Sequence, residues 1–194
     1  MQISIESQGL VWYALYTRHQ HEKSVAESIR RTGVETFLPL YSCAHRWADR
    51  TKEILLPLFP RYVFVRGGVV GQDLQILRTP GVYDFVRHLG RAAPIPEVEI
   101  ESVRRLLESS LRIDPHPFLK RGDWVRVKSG PLLGLEGILL RKKNLYRFVL
   151  SVDLLQKSVS VEVDATTVER TPKKEMGRPH RGARQSLQHD SGAA

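Results

Sequence analysis

The stretch PLFPRYVFVRG, residues 57–67, limits the fold more than any other part of the chain. In an extended conformation Val63 and Val65 point one way and Tyr62 and Phe64 the other, so the strand is apolar on both faces. Neither face suits water. The fold must cover each one, or reserve one for another molecule.

The flanking sequence offers helices for one cover. VWYALYT (11–17) alternates as a strand rich in aromatic and apolar residues. From His19 to Thr32 the period changes: Val25, Ala26 and Ile29 recur at helical spacing among Glu22, Lys23, Glu27, Arg30 and Arg31, and Gly33 is placed to stop the helix. VETFLPLYS (34–42) reads as a second strand, CAHRWADRTKEILLPLF as a hairpin with a polar tip around Ala48–Lys52, and RYVFVRG as the next strand, closed by Gly67 and Gly68. GQDLQILRTPGV (71–82) carries Leu74, Ile76 and Leu77 in a short helical pattern ended by Pro80-Gly81, YDFVRHLG is short and extended, and RAAPIP is a proline-punctuated loop. EVEIESVRRLLESS (97–110) is an amphipathic helix whose acidic first turn suits the helix dipole. The order β-α-β-β-β-α-β-α describes an α+β sandwich over residues 11–110, behind a short N-terminal extension at 1–10.

SSLRIDPHPF (109–118) has two prolines and no period, which predicts a linker at 111–118. Residues 119–170 hold short β-rich runs separated by Ser-Gly-Pro, Gly and Lys-Lys-Asn turns, the pattern of a small closed barrel with Trp124, Val125 and Val127 in its core. The tail, 171–194, is basic and nearly free of large apolar side chains, so it is expected to be disordered.

Charge narrows the partners. The formal net charge is +9, and residues 111–170 hold 11 Lys/Arg against 7 Asp/Glu, whereas 1–110 hold 14 against 12. Such an excess favours polyanions through counterion release. No apolar run approaches the roughly 20 residues that span a bilayer, and MQISIESQGL has neither the basic start nor the apolar stretch of a signal peptide. A cytoplasmic protein with no membrane partner is expected. The single cysteine, Cys43, fits a reducing compartment.

VWYALYT with its following helix, then LPLFPRYVFVR, LRTPGVYDFVR and APIPEVEIESV, resembles the N-terminal (NGN) domain of the NusG family of transcription elongation factors. RGDWVRVKSGPLLGLEGILLR (121–141) resembles that family's KOW motif, a glycine-centred hairpin of its C-terminal barrel. The likeness covers roughly residues 11–170 in the family's order, and the combination is more specific than either part. It implies an N-terminal antiparallel sheet flanked by helices, joined by a linker to a small five-stranded barrel. It also implies a monomeric, non-enzymatic factor without cofactor or metal that rides on RNA polymerase and suppresses pausing or termination.

In that family an apolar depression on the N-terminal domain receives the tip of the polymerase clamp's coiled helices. The matching positions are Phe59, Tyr62, Phe64, Val82 and Phe85, with Pro94 and Ile95 nearby. On this basis Val63 and Val65 pack inward while Tyr62 and Phe64 await a partner. The competing reading is that all these rings are core, as strand aromatics usually are. Two departures from the family's common pattern, Arg18-His19-Gln20 after the first strand and Arg61 where Gly or Asn is usual, resemble specialised paralogues of the RfaH and UpxY kind. Such paralogues read the exposed non-template DNA strand, and Arg18, His19, His21 and Lys23 are the candidates here; an ordinary solvated helix end is the alternative. In the barrel, Gly130, Gly134 and Gly137 are expected to serve tight turns and close chain approach. One rim of the barrel meets Rho or the small ribosomal subunit in the family, and the resemblance carries that partner over only loosely.

Two other functions compete. A ribosome-associated or general RNA-binding protein would use the barrel and the basic tail; Arg141, Lys142 and Lys143 read equally as an RNA contact or as a solvated turn. An enzyme would need more than Cys43 and His45 on one strand face, because a catalytic thiol requires a base and an orienting group that no pattern supplies. The histidines show no metal spacing and no glycine loop cradles a phosphate.

Overall fold

A computed structural model describes residues 10–46, 51–67, 73–119, 122–142 and 145–172. Residues 1–9 of the expected extension, 47–50 of the expected hairpin, Lys143 and 173–194 of the basic tail lie outside them. The N-terminal elements are β1 (Val11–Thr17), α1 (Glu22–Arg30), β2 (Glu35–Phe37), β3 (Leu40–Arg46), β4 (Thr51–Pro57), β5 (Tyr62–Gly67), α2 (Asp73–Leu77), β6 (Val82–Phe85), β7 (Arg87–His88), β8 (Arg91–Ala92), β9 (Pro94–Ile95) and α3 (Glu97–Glu108). Among the described residues, no helix is long and apolar enough to cross a membrane.

The antiparallel sheet is built around β1, which pairs with β5 on one side and with β6 and β9 on the other, while β2 adds to the outer edge of β5. Alternation then sorts the side chains. Tyr13 and Leu15 share a face with Val63 and Val65, and α1 covers it with Val25, Ala26 and Ile29. Gly33 ends that helical segment at φ +83°, a conformation glycine adopts without a Cβ clash.

The other face carries Trp12, Ala14 and Phe64, and here the structure departs from expectation. Phe64 is fully buried rather than open. The chain covers it itself: Phe37 and Phe59 stand 6.0 and 5.9 Å away, and Ile100 and Val103 of α3 belong to the same cluster. Arg104 of α3 lies over the Trp12 and Phe37 rings at 5.3 and 4.9 Å, so one helix both buries and caps the aromatic row. Tyr62 remains half-buried at the edge of this cluster.

The strand expected over 34–42 is two strands, broken at Leu38-Pro39, because proline cannot donate to a ladder. After the break β3 leaves the main sheet and pairs only with β4, from Leu40↔Pro57 to Arg46↔Thr51. The proline loop 91–96 contributes two short strands, β8 and β9.

The C-terminal domain comprises β10 (Ile113–His116), β11 (Asp123–Val127), β12 (Glu136–Lys142), β13 (Leu145–Val152), β14 (Lys157–Val163) and β15 (Val168–Arg170), in the order β10-β14-β13-β12-β11-β15. The last five supply the expected strands. The sixth lies inside the expected linker, where Pro115 sits opposite Val159. β10 is an outer strand of the order, and a strand with one neighbour tolerates a missing N–H. Leu119 continues the attachment, its N–H donating to Ser158 Oγ at 3.2 Å. The two domains are not held apart: Ile100, Val103 and Leu106 of α3 share one apolar cluster with Leu132, Phe148 and Leu150.

Candidate functional site

At one end of the N-terminal sheet, three tyrosines from three adjacent strands stand together. Tyr16, next to last in β1, is paired with Tyr62, the first residue of β5; their rings are 5.8 Å apart. Tyr83 of β6 stands 5.7 Å from Tyr16 on its other side and is exposed to 58%. Arg61 completes the group, with its guanidinium 5.4 Å from the centre of the Tyr16 ring and Nη1 donating to the Tyr16 hydroxyl.

The turn that presents Arg61 is held from below. Arg61 has φ +72°, an uncommon conformation for a residue with a Cβ, and its backbone N–H donates to Glu22 Oε1 at 2.8 Å. Glu22 is buried at the start of α1 to make this bond. The Arg61 carbonyl in turn accepts from Thr17 N at 2.8 Å, which ties the end of β1 to the same turn. The positive φ also explains why Gly or Asn suits this position. Burial pushes the Tyr62 hydroxyl above the ordinary tyrosine value, Tyr16 adds to the rise, and Arg61 opposes it. Tyr62 therefore remains a neutral hydrogen-bonding group at physiological pH.

The seven residues singled out from the sequence for docking are not brought together on one surface. Phe59, Phe64 and Ile95 are buried in the cluster under α3. Phe85 is buried on the opposite face, 5.9 Å from Tyr13, and Val82 packs against that second cluster. The reason is register: Phe85 lies opposite Leu15, whose side chain points toward α1. Pro94 is exposed, and of the seven only Tyr62 is a member of the tyrosine group. Tyr16 and Tyr83 were missed. The alternation of VWYALYT places Tyr16 with Trp12 and Ala14, so it could have been found, whereas placing Tyr83 beside it requires the β1–β6 pairing.

Residues 10–104 match the family model described as "Transcription termination factor nusG". The chain is 23% identical over 182 residues to the transcription termination/antitermination protein NusG of Helicobacter pylori, covering 82% of this chain and 97% of that protein. Its likeness to NusG of Deinococcus radiodurans is 26% over 159 residues, covering 68% and 83%. The chain belongs to the NusG family. Its fold is also that of a solved structure described as "Domain interaction in Thermotoga maritima NusG", with a TM-score of 0.54, 22% identity, and coverage of 86% of this chain and all of that one.

In this NusG-family chain the β1–α1 turn carries the four residues considered for nucleic acid. Arg18 and His19 are exposed, and the Arg18 N–H donates to Gly81 O at 2.8 Å, which seats the turn on the Pro80-Gly81 corner. His21 is half-buried against that corner: a Cβ on Gly81 would lie 3.3 Å from His21 Cβ. Lys23 is tied away, its Nζ donating to Leu55 O of β4 at 2.7 Å. Arg18 and His19 are thus the exposed part of the set with no side-chain tie among the described bonds.

A hairpin joins β11 to β12. Gly130 and Gly134 take φ of +83° and +82° in its loop, and Gly137 meets the need for close approach, since a Cβ there would lie 2.6 Å from Val149 O. Val125 and Val127 are buried as core and Trp124 is half-buried. Arg141 is exposed beside the Tyr146 ring at 5.9 Å. Cys43 is half-buried on β3, and no group of three or more His, Cys, Asp or Glu among the described residues could hold a metal.

Proposed function

We propose that this chain is a transcription elongation factor of the termination/antitermination class that docks on RNA polymerase through the tyrosine edge of its N-terminal domain. The observation that carries this reading is the cluster of Tyr16, Tyr62 and Tyr83 with Arg61, left accessible on a rigid sheet while the neighbouring phenylalanines are enclosed. Rigid tyrosines offer a large contact area for few frozen torsions, and an arginine above one of them adds a fixed charge for a carboxylate or carbonyl partner. Phe59 and Phe64 support the edge from beneath, and the clamp's coiled helices are the intended partner. The names of the two NusG relatives, which couple termination with antitermination, support a role in elongation control.

The exposed Arg18 and His19 are the groups proposed to touch the non-template DNA strand, beside the polymerase-bound edge. Replacing Arg18 by Ala is expected to weaken the response at a particular leader sequence while leaving polymerase binding unchanged. Equal loss of both would assign Arg18 to docking instead. The C-terminal domain is proposed to meet Rho, the small ribosomal subunit or RNA. The test of the whole reading is in vitro elongation on templates carrying leader regions of the source genome, with and without the protein, scoring pauses and terminator readthrough. Retention on ribosomes or RNA, with none on RNA polymerase, would favour the general RNA-binding alternative.

A further inference from the structure

Where the two domains meet, a buried carboxyl group has no counter-ion among the described residues. Glu99, in the first turns of α3, is only 9% exposed, and its Oε2 has no hydrogen-bond partner among the described residues. Across the seam is the single helical turn Asp153–Leu155, whose first residue acts on Glu99 in two opposed ways: its backbone N–H bonds the carboxyl and its carboxylate repels it. The surroundings are apolar, with Ile100 and Leu106 of α3 in one cluster with Leu150 and Leu155. The two arginines of the helix are engaged elsewhere, Arg104 with Glu35 at 3.2 Å and Arg105 with the Leu133 carbonyl at 2.6 Å. The remaining acids of α3 point away: Glu97 pairs with Arg66, and Glu101 and Glu108 are exposed.

We propose that Glu99 is a proton-operated latch between the two domains: as the neutral acid it lets α3 seat against the Asp153–Leu155 turn, and as the carboxylate it drives the two apart. The geometry needs no ligand, and the inference does not depend on which partner the tyrosine edge binds. Its sign follows from linkage. Burial first, and then the Asp153 charge, push the Glu99 carboxyl up from 4.5 to about 7 in the seated state, with the Asp153 N–H opposing. Parted from the barrel, α3 returns Glu99 to water and to its ordinary value. The seated state therefore binds the proton more tightly; its extra stability is complete below 4.5 and is lost as pH rises through about 7. The seated-to-parted ratio should fall on the order of a hundredfold between roughly pH 4 and pH 8.

The full chain tests this directly. With dyes on Ser28→Cys and Glu162→Cys in a Cys43→Ser background, all at positions away from the seam, energy transfer between the domains is followed across that range. Transfer is expected to be high in acid and to decline toward pH 8. Glu99→Gln should keep transfer high and flat, because an amide cannot ionise. Asp153→Asn changes an exposed residue and spares the fold, and it should leave more transfer at pH 8 than the parent. A parent chain whose transfer ignores pH would overturn the latch. So would the same decline in Glu99→Gln, or an Asp153→Asn chain indistinguishable from its parent.

Discussion

Glu22 is the residue on which the tyrosine edge depends without belonging to it. Its carboxylate is buried at the head of α1 and serves the backbone of Arg61, a long-range contact that holds a left-handed turn in place. Replacing Glu22 by Ala leaves the Arg61 N–H without that acceptor and removes the restraint on the turn. A loss of about 1–3 kcal/mol in chemical denaturation is expected, as for other buried hydrogen bonds to charged groups. The same substitution should weaken polymerase binding more than it lowers stability at the working temperature. If binding were unchanged in a destabilised Glu22→Ala protein, Arg61 would not need its present position. Tyr83 is the converse case, because it is mostly exposed and its loss should cost the fold little.

At the scale of elements, what could be seen from the sequence followed periodicity. The helix expected at His19–Thr32 lies at Glu22–Arg30 and that at 97–110 lies at Glu97–Glu108, since both carry a helical apolar repeat. Two proline-bearing segments were harder, for different reasons. Pro39 divided what looked like one strand, while Pro115 failed to prevent one, because position in the sheet decides whether a missing N–H matters. The candidate site was legible as a region but not as a surface. Alternation placed Tyr62 and Phe64 together, yet which aromatic the chain's own α3 would enclose depends on packing between elements far apart in sequence. The hairpin glycines carry the clearest element-level prediction. Gly137→Ala would force a Cβ to within 2.6 Å of the Val149 carbonyl and 2.7 Å of the Phe148 ring, between β12 and β13. We expect the C-terminal domain to lose several kcal/mol, on the order of 3 or more, seen as a thermal transition that separates from that of the N-terminal domain. An unshifted transition would show that the two strands can move apart at little cost.

Among the described residues, the five-stranded and six-stranded sheets are joined through one helix. α3 covers the aromatic face of the N-terminal sheet with one side and meets the C-terminal domain with another, so the apolar cluster runs unbroken from Trp12 to Phe148. Phe64 is thereby enclosed by the chain itself, and in the proposed reading recognition falls to the edge where Tyr16, Tyr62 and Tyr83 emerge. The most direct test is the affinity of purified core RNA polymerase for the full chain and for its Tyr83→Ala variant, with thermal stability measured alongside. The account predicts a tenfold or greater loss of affinity, about 1.4 kcal/mol or more, with the melting temperature unchanged. Undiminished affinity in a Tyr83→Ala/Tyr62→Ala protein that still melts as a folded chain would contradict it.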